Sequence, residues 1–483
     1  MRTDFPFGLL IGGAWQDTDD SFPVTNPYDG ALVSRVAAAD DDDVGAAVAS
    51  AEEGAGEMRG LPAHERSRVL GRAADIVAER AEDFTRTIVA EAGKPRRYAR
   101  DEVRRAVQTL RFAAEEAKRI HGETVPMDAA VGSENRRGFF VRHPLGVVAA
   151  ITPFNFPLNL VCHKVAPALA AGNSVVLKPA SAAPLTALRL AEVLLEAGLP
   201  PRALNVVTGP GPTVGMALVC DERVRMVTFT GSAAAGEAVR AKSGLKRVTL
   251  ELGANSGVIV DETADAAAAL ERCLIGGFAY SGQVCIHTQR LYLHSSLAGS
   301  FTDDFVARAR RLACGDPRLE ATEVGPMIDR DALESGLALV DDARRAGATV
   351  LCGGTADGTI MLPTVLSGVE PDMKVVCEEA FAPVVTVEVF GDFDGAVAMF
   401  NRGSAAGTYA YGLAAGVFTR DVNRALRAAE EIEAGNVYVN DSATFRADHQ
   451  PYGGVRDSGL GREGPRFAIE EMTDIRMVSF NLE

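Results

Sequence analysis

The chain has 483 residues, 47% of them hydrophobic and 24% charged, which is a globular balance too long for one ordinary core, so two or three domains are expected. Its formal charge is −16 and no long basic run occurs, which excludes nucleic acid or an anionic membrane as the main partner. The seven cysteines stand singly, with no C-x-x-C pair and no Cys/His spacing for zinc, so neither a disulfide framework nor a metal site is expected.

The opening is strand-like. Its only apolar run, 8–13, is too short and glycine-rich for a secretory signal, and nothing downstream offers a membrane span, so a cytoplasmic protein is expected. Three amphipathic helical stretches are predicted over roughly 41–122. Within them Val69, Leu70, Ala73, Ile76 and Val77 repeat with the 3.6-residue period of one buried face, and Gly93 is a helix stop. From about Gly138 strands and helices alternate: strand 147–151, helix 158–170, strand 174–177, helix 185–195, then strands 204–207 and 226–229. Buried β-branched strands alternating with helices imply right-handed crossovers and a parallel, doubly wound sheet. A second α/β series is expected over 271–440, and 475–480 reads as an extended edge strand.

Val206-Val207-Thr208-Gly209-Pro210-Gly211 and the residues up to Gly215 read as strand, glycine turn and helix, where backbone N–H groups approach a phosphate. The G-x-G-x-x-x-G spacing is one residue longer than the usual dinucleotide fingerprint, and alone it serves a plain loop equally well. A second strand end, Phe229-Thr230-Gly231-Ser232, also opens a helix, and two such turns in one parallel sheet favour a dinucleotide. Cys285 follows glycine and polar residues where a helical pattern ends; the other six cysteines read as small buried hydrophobes. Glu251 closes an apolar strand, a costly place for a carboxylate unless it is paired or used. Asn155 is a lone amide in an apolar, proline-bracketed loop at a strand's carboxyl end, where ligands bind in open α/β sheets.

These motifs come in a telling order. Thr152-Pro153-Phe154-Asn155-Phe156-Pro157, Gly172-Asn173-Ser174-Val175-Val176-Leu177-Lys178-Pro179, Phe229-Thr230-Gly231-Ser232 and Glu251-Leu252-Gly253 come first. Gly282-Gln283-Val284-Cys285, Glu378-Glu379-Ala380-Phe381-Ala382-Pro383 and Pro451-Tyr452-Gly453-Gly454 with Ser458-Gly459 follow. Together they resemble the aldehyde dehydrogenase superfamily over essentially the whole chain. The resemblance implies an α/β fold of two doubly wound α/β domains plus a small β oligomerisation element. It places a dinucleotide-binding domain at 1–122 and 145–251, a catalytic domain at 252–450, and the oligomerisation element at 123–144 with 465–483, in a homodimer or homotetramer.

The activity implied is NAD(P)-dependent oxidation of a small aldehyde to its acid. Cys285 would attack the carbonyl, Asn155 and the Cys285 backbone N–H would hold the oxyanion, and Glu251 would activate the water that hydrolyses the thioester. NAD or NADP would lie against Thr152, Pro153, Phe154, Lys178, Ala180, Ser181, Gly211, Phe229, Gly231, Ser232, Leu252, Gly253, Glu379 and Phe381. Many NAD-preferring members carry glutamate where this chain has Ser181; serine lacks the charge that repels a 2′-phosphate, so NADP stays open.

The chain departs from the common pattern at Ala254, where many relatives have a second glycine, and at Val284 and Ile286, which flank Cys285 without a second cysteine or an arginine. The substrate mouth is implied to hold Arg105, His163, Val284, Ile286, Arg446 and His449, as in the branch of lactaldehyde, glyceraldehyde and phosphonoacetaldehyde dehydrogenases. Relatives that take phosphorylated or phosphonate aldehydes use arginines at the Arg105 and Arg446 positions; a third stands where this chain has Val284. A moderately cationic pocket for a short hydroxylated or acidic aldehyde is expected, the alternative being that both arginines make structural ion pairs. Two rival readings are a CoA-acylating enzyme, against which Glu251 counts, and a non-catalytic member of the fold, against which the intact Cys285, Asn155 and Glu251 set counts.

Overall fold

In the computed structural model, which describes residues 8–483, the region expected to hold three helices holds four: Asp41–Gly60, Ala63–Glu79, Ala81–Ala92 and Arg96–Glu116. Arg80 alone separates the second from the third, at φ −104° and ψ 22°, with neither glycine nor proline to mark the break. The apolar period therefore runs through a junction that the backbone does not. Gly93, at φ 61°, ends the third helix as expected. The face of Val69, Leu70, Ala73, Ile76 and Val77 is buried throughout.

The alternation after residue 147 builds an eight-stranded sheet. Its order is Ala14–Gln16, Leu9–Ile11, Leu204–Val206, Ser174–Lys178, Val147–Ile151, Val224–Thr230, Arg247–Glu251 and Gly459–Leu460. The five strands from Leu204–Val206 to Arg247–Glu251 run parallel, and antiparallel strands flank them on both sides. The chain leaves Val147–Ile151 in one direction across the sheet and returns on its other side at Val224–Thr230. The crevice between these two strands is the point where winding reverses, the place where doubly wound sheets bind ligands.

The glycine turn after Leu204–Val206 departs from expectation. Gly211–Gly215 forms a π-helical turn, followed by the short helix Met216–Cys220, in place of a long helix opening at the glycines.

A second, seven-stranded sheet takes the order Thr349–Cys352, Thr364–Ser367, Val384–Phe390, Arg290–His294, Gly257–Val260, Ala414–Phe418 and Asn436–Val439. All its pairs are parallel except the first. A third sheet joins Thr473–Asn481, Arg136–Pro144 and Glu123–Val125 in antiparallel fashion, so the expected strand at 475–480 does lie at an edge. At one seam the chain, having completed the second sheet, returns to the first: Gly459–Leu460 pairs with Arg247–Glu251, and Leu252 N donates to Ser458 O at 2.9 Å. That seam adjoins Glu251. Among the described residues no helix is long and apolar enough to cross a membrane, and all seven cysteines are free.

Candidate active site

Helix Ala266–Phe278 stops short of Cys285, and Tyr280, Ser281 and Gly282 then take left-handed φ values of 51°, 57° and 67°. Each non-glycine residue held there costs on the order of 1–3 kcal/mol, so its surroundings must impose it. They do: Tyr280 Oη donates to Ala92 O at 2.9 Å, and Ser281 Oγ to Gly325 O at 2.8 Å. Gly282 is required by contact as well, since a Cβ there would stand 2.2 Å from Ala382 O. Gln283 completes the brace, its Oε1 accepting from Ile328 N at 2.8 Å. The braced loop delivers Cys285 half-buried, with Sγ 3.2 Å from Tyr452 Oη. Burial pushes the thiol up to about 11; the Tyr452 hydrogen bond and Arg446 oppose that, while Glu251 and Glu379 add to it.

Asn155 is buried and its Nδ2 donates to Gln283 O at 3.0 Å, which sets the amide against the loop that carries Cys285. An amide nitrogen carries two hydrogens, so one remains for an oxyanion. Glu251 ends the strand Arg247–Glu251 directly opposite Thr230. It is 4% exposed, and neither carboxylate oxygen has a partner among the described residues. Burial, and then the charge of Glu463, hold its pKa well above the ordinary carboxylate value, against Arg446, Lys164 and Arg462. The room it fills exists because residue 453 is glycine: a Cβ there would stand 2.8 Å from Glu251 Oε1.

Other residues surround this set, Glu463 and Lys164 among them unflagged by the sequence. Glu463 lies buried between Lys164 Nζ and Arg446 Nη2, each at 2.9 Å. Against the push of burial, Lys164 and Arg446 hold its carboxyl well below the usual range. Lys164 also donates to Thr228 Oγ1 at 3.2 Å. The available signal was a single lysine inside the apolar helix Asn159–Ala171. Asp448 gathers Arg105 Nη2 at 2.8 Å, Arg105 Nε at 3.1 Å, Asn159 Nδ2 at 3.0 Å and His163 Nε2 at 3.0 Å. Both arginines expected at the mouth are thus engaged by carboxylates; the Arg446 side chain is 5% exposed and that of Arg105 31%. His163 is buried. His449 is exposed and rests on Phe112, ring centroids 4.8 Å apart. Val284 is half-buried, and Ile286 lies in the apolar cluster that contains Tyr452.

The residues expected at the cofactor gather around the switch point. Thr152 and Thr230 stand at the carboxyl ends of the two strands between which the winding reverses, and both hydroxyls are buried without a partner among the described residues. Orphaned buried hydroxyls in that crevice fit a polar ligand. Lys178 Nζ donates to Pro179 O at 2.9 Å, and burial lowers its ammonium to about 8. Ser181 Oγ donates to Gly209 O at 2.7 Å, tying it to the turn that carries Gly211. Gly231 packs under Phe229, whose Cζ would stand 2.5 Å from a Cβ there, and Ser232 caps the next helix by accepting from Ala235 N at 3.3 Å. Glu379 Oε1 accepts from Ala254 N at 3.0 Å, and burial pushes its carboxyl up to about 7. A Cβ on Gly253 would stand 2.4 Å from Glu379 Oε2, so a larger residue there would displace that carboxylate. Leu252 packs on Gly236, and Phe154 meets Phe381 edge-on at 6.0 Å. Pro153 and Ala180 are half-buried in the loops at the same strand ends.

The model of the Aldehyde dehydrogenase family matches residues 15–478. The chain is 46% identical over 476 residues to a 3-sulfolactaldehyde dehydrogenase from Priestia megaterium, an alignment covering 99% of this chain and 98% of the relative. Among solved structures it superposes on aldehyde dehydrogenase 21 from Physcomitrella patens, in complex with the reaction product succinate. That match has a TM-score of 0.95 at 37% identity and covers 99% of this chain and 98% of the other. It also superposes on a glyceraldehyde-3-phosphate dehydrogenase from Methanocaldococcus jannaschii complexed with NADP, with a TM-score of 0.91 at 37% identity, covering 96% and 100% of the two chains. With its buried Glu251, its braced Cys285 and its orphaned hydroxyls at the switch point, the chain belongs to the aldehyde dehydrogenase family and is an NAD(P)-dependent oxidoreductase acting on aldehydes.

Proposed function

We propose that this enzyme oxidises a short aldehyde bearing an anionic or hydroxylated end to its carboxylic acid, with Cys285 as nucleophile, Asn155 as oxyanion donor and Glu251 as general base. The carrying observation is Glu251: a carboxylate buried beside the nucleophile with both oxygens free is poised for a proton and for little else. Cys285 Sγ forms a bond to the aldehyde carbon while the carbonyl π pair moves onto oxygen. The free hydrogen of Asn155 Nδ2 and the Cys285 backbone N–H hold that charge, each donor contributing about 3–4 kcal/mol. A bound dinucleotide would supply the acceptor for the hydride that leaves the former aldehyde carbon; Lys178 and Ser181 would hold its adenosine end, Glu379 its nicotinamide ribose, and Thr152 and Thr230 line the crevice between. The acyl group then rests on Sγ as a thioester. Glu251 takes a proton from water as the water oxygen attacks the acyl carbon; the C–S bond breaks, and the acid leaves. A base of this kind favours water over CoA as acceptor.

The substrate class draws on two supports. The relatives above are named for, or bound to, short molecules with an anionic group: sulfolactaldehyde, succinate and glyceraldehyde 3-phosphate. Arg105 keeps an accessible face although Asp448 takes two of its N–H groups, and its guanidinium lies 5.9 Å from the ring of Phe156, next to Asn155. A half-neutralised arginine suits a single anion or a hydroxyl better than a phosphate. Residues 1–122 with 145–251, of which 1–7 lie outside the described residues, are assigned to the dinucleotide-binding part, 252–450 to the catalytic part, and 123–144 with 465–483 to an element through which copies associate into a homodimer or homotetramer.

Steady-state turnover with NAD or NADP tests this reading on a panel of glycolaldehyde, lactaldehyde, glyceraldehyde, succinic semialdehyde, phosphonoacetaldehyde, sulfolactaldehyde and hexanal. The best short polar aldehyde is expected to exceed hexanal in kcat/KM by about tenfold or more. Preference for hexanal would overturn the substrate class, and oxidation only in the presence of CoA would overturn the hydrolytic reading.

A further inference from the structure

The Pro451-Tyr452-Gly453-Gly454 segment has no part in the reaction as derived above, yet Tyr452 touches both the nucleophile and a buried cation. Its hydroxyl stands 3.2 Å from Cys285 Sγ, and the Arg446 guanidinium lies 3.7 Å from the centroid of its ring. Arg446 is fixed on that face, since its Nη2 is held by Glu463 at 2.9 Å. Tyr452 is fixed to the same glutamate through the backbone: Tyr452 N donates to Glu463 O at 3.1 Å, and Glu463 N donates to Tyr452 O at 2.7 Å. Gly454 lets the chain pass, because a Cβ there would stand 2.5 Å from Ser458. Ring, cation and carboxylate thus form one rigid unit aimed at a single sulfur.

We propose that Tyr452, polarised by the Arg446 guanidinium stacked on its ring, is a further catalytic residue that donates its hydroxyl hydrogen to the Cys285 thiolate and so sets how much nucleophile exists at neutral pH. This rests on the reading of Cys285 as the nucleophile. A neutral thiol offers a weak acceptor, whereas a thiolate makes a charge-assisted hydrogen bond with a phenol. A cation over the π face draws electron density from the ring and strengthens the O–H as a donor. The phenol itself keeps its proton, because burial, and then the charge at Cys285, hold its pKa well above the ordinary value. The other groups facing the sulfur divide: Arg446 favours the thiolate, Glu251 and Glu379 oppose it, and Tyr438 stands near it as a second phenol.

A donor to the resting thiolate has two opposite effects. It raises the thiolate fraction below the thiol pKa, and it blunts each thiolate, with a Brønsted coefficient of about 0.4–0.5. For a pKa lowered by about one, the fraction rises about tenfold and the intrinsic rate falls about threefold, a net gain of about threefold at neutral pH. Above the pKa the sign reverses.

The test is the pH profile of iodoacetamide alkylation on the full-length enzyme, in which Sγ bonds to the methylene carbon and iodide leaves, with the modified peptide mapped to Cys285. Tyr452→Phe keeps the stacked ring and is expected to move the midpoint up by about one pH unit, to react about threefold slower at neutral pH, and to react about threefold faster above both midpoints. Mere loosening of the loop does not produce that crossing. Arg446→Lys keeps a partner for Glu463 but removes the planar cation from the ring; it is expected to move the midpoint the same way by less. A Tyr452→Phe profile that superposes on the parent, or falls uniformly at every pH, would overturn the proposal. Should that variant not fold, an unmoved midpoint in Arg446→Lys would overturn it. Turnover that survives complete alkylation of Cys285 would instead overturn the nucleophile reading itself.

Discussion

Glu251 and Glu463 are two buried glutamates handled in opposite ways by their surroundings. Glu463 is clasped by Lys164 and Arg446, whereas Glu251 has no hydrogen-bond partner at either oxygen among the described residues. A carboxyl whose folded pKa is raised binds its proton more tightly folded than unfolded, so its contribution is favourable below the unfolded value and is lost as pH rises through the folded value. Glu251→Gln is therefore expected to lose less thermal stability than the parent as pH rises above the ordinary glutamate value of about 4.3, as read by melting temperature. The parent's thioester hydrolysis should rise with pH through the Glu251 pKa, a limb absent from the glutamine variant's profile. Asn155→Ala is expected to cut kcat by about 10²–10³, measured by steady-state turnover, because the oxyanion loses a preset donor. Cys285, Asn155 and Glu251 were legible because each is out of keeping with its local pattern: a thiol after a glycine turn, an amide among prolines, a carboxylate closing an apolar strand. Their setting was not. Glu463 and Asp448 act on partners hundreds of residues away, Lys164 at a separation of 299 and Arg105 at 343, and no local period carries such a link.

Helix ends show the same division at the next scale. The strands from 147 onward were readable because they are buried on both faces and give unbroken apolar runs. The starts of helices Asn159–Ala171 and Leu185–Glu196 carry no local side-chain cap; their first amides are satisfied from other helices. Glu102 Oε1 accepts from Leu158 N at 2.8 Å and Asn159 N at 3.2 Å, and Glu91 accepts from Leu185 N at 2.6 Å and Thr186 N at 2.9 Å. Sequence cues for caps are local, so carboxylates reaching across the fold escape them. Glu102 also pairs with the buried Lys94, whose ammonium lies 3.6 Å from the ring centroid of Phe156, the residue after Asn155. Glu102→Ala strands that ammonium and the helix amides together, and is expected to cost about 3–5 kcal/mol in urea unfolding and to lower kcat through the Asn155 loop. Glu102→Gln keeps the cap but not the charge and should fall between the parent and the alanine variant in both measurements.

At the scale of the whole molecule, the chain returns from the second sheet to the first at the seam beside Glu251, and the third sheet extends its strand Thr473–Asn481 with one edge unpaired among the described residues. Ile475 and Met477 are exposed on one face of that strand and Phe480 on the other, apolar side chains along an edge that invites pairing with a second copy. Phe480→Lys with Met477→Lys is expected to shift the protein to a smaller species by light scattering while leaving the helical circular dichroism unchanged. The sheet architecture was legible from strand–helix alternation, but the return of Gly459–Leu460 to the first sheet was not, since a two-residue strand leaves no pattern. That return matters to the chemistry, because the segment that follows Tyr452 and Gly453 locks into the strand that carries Glu251. The most direct check on the account is a single-turnover experiment with Glu251→Gln, mixing it with cofactor and the best aldehyde of the panel and recording reduced nicotinamide and peptide masses. One equivalent of reduced nicotinamide per subunit, with the acyl mass on the Cys285 peptide, is the predicted result; continued turnover at the parent's rate, or an acyl group on any other residue, would contradict it.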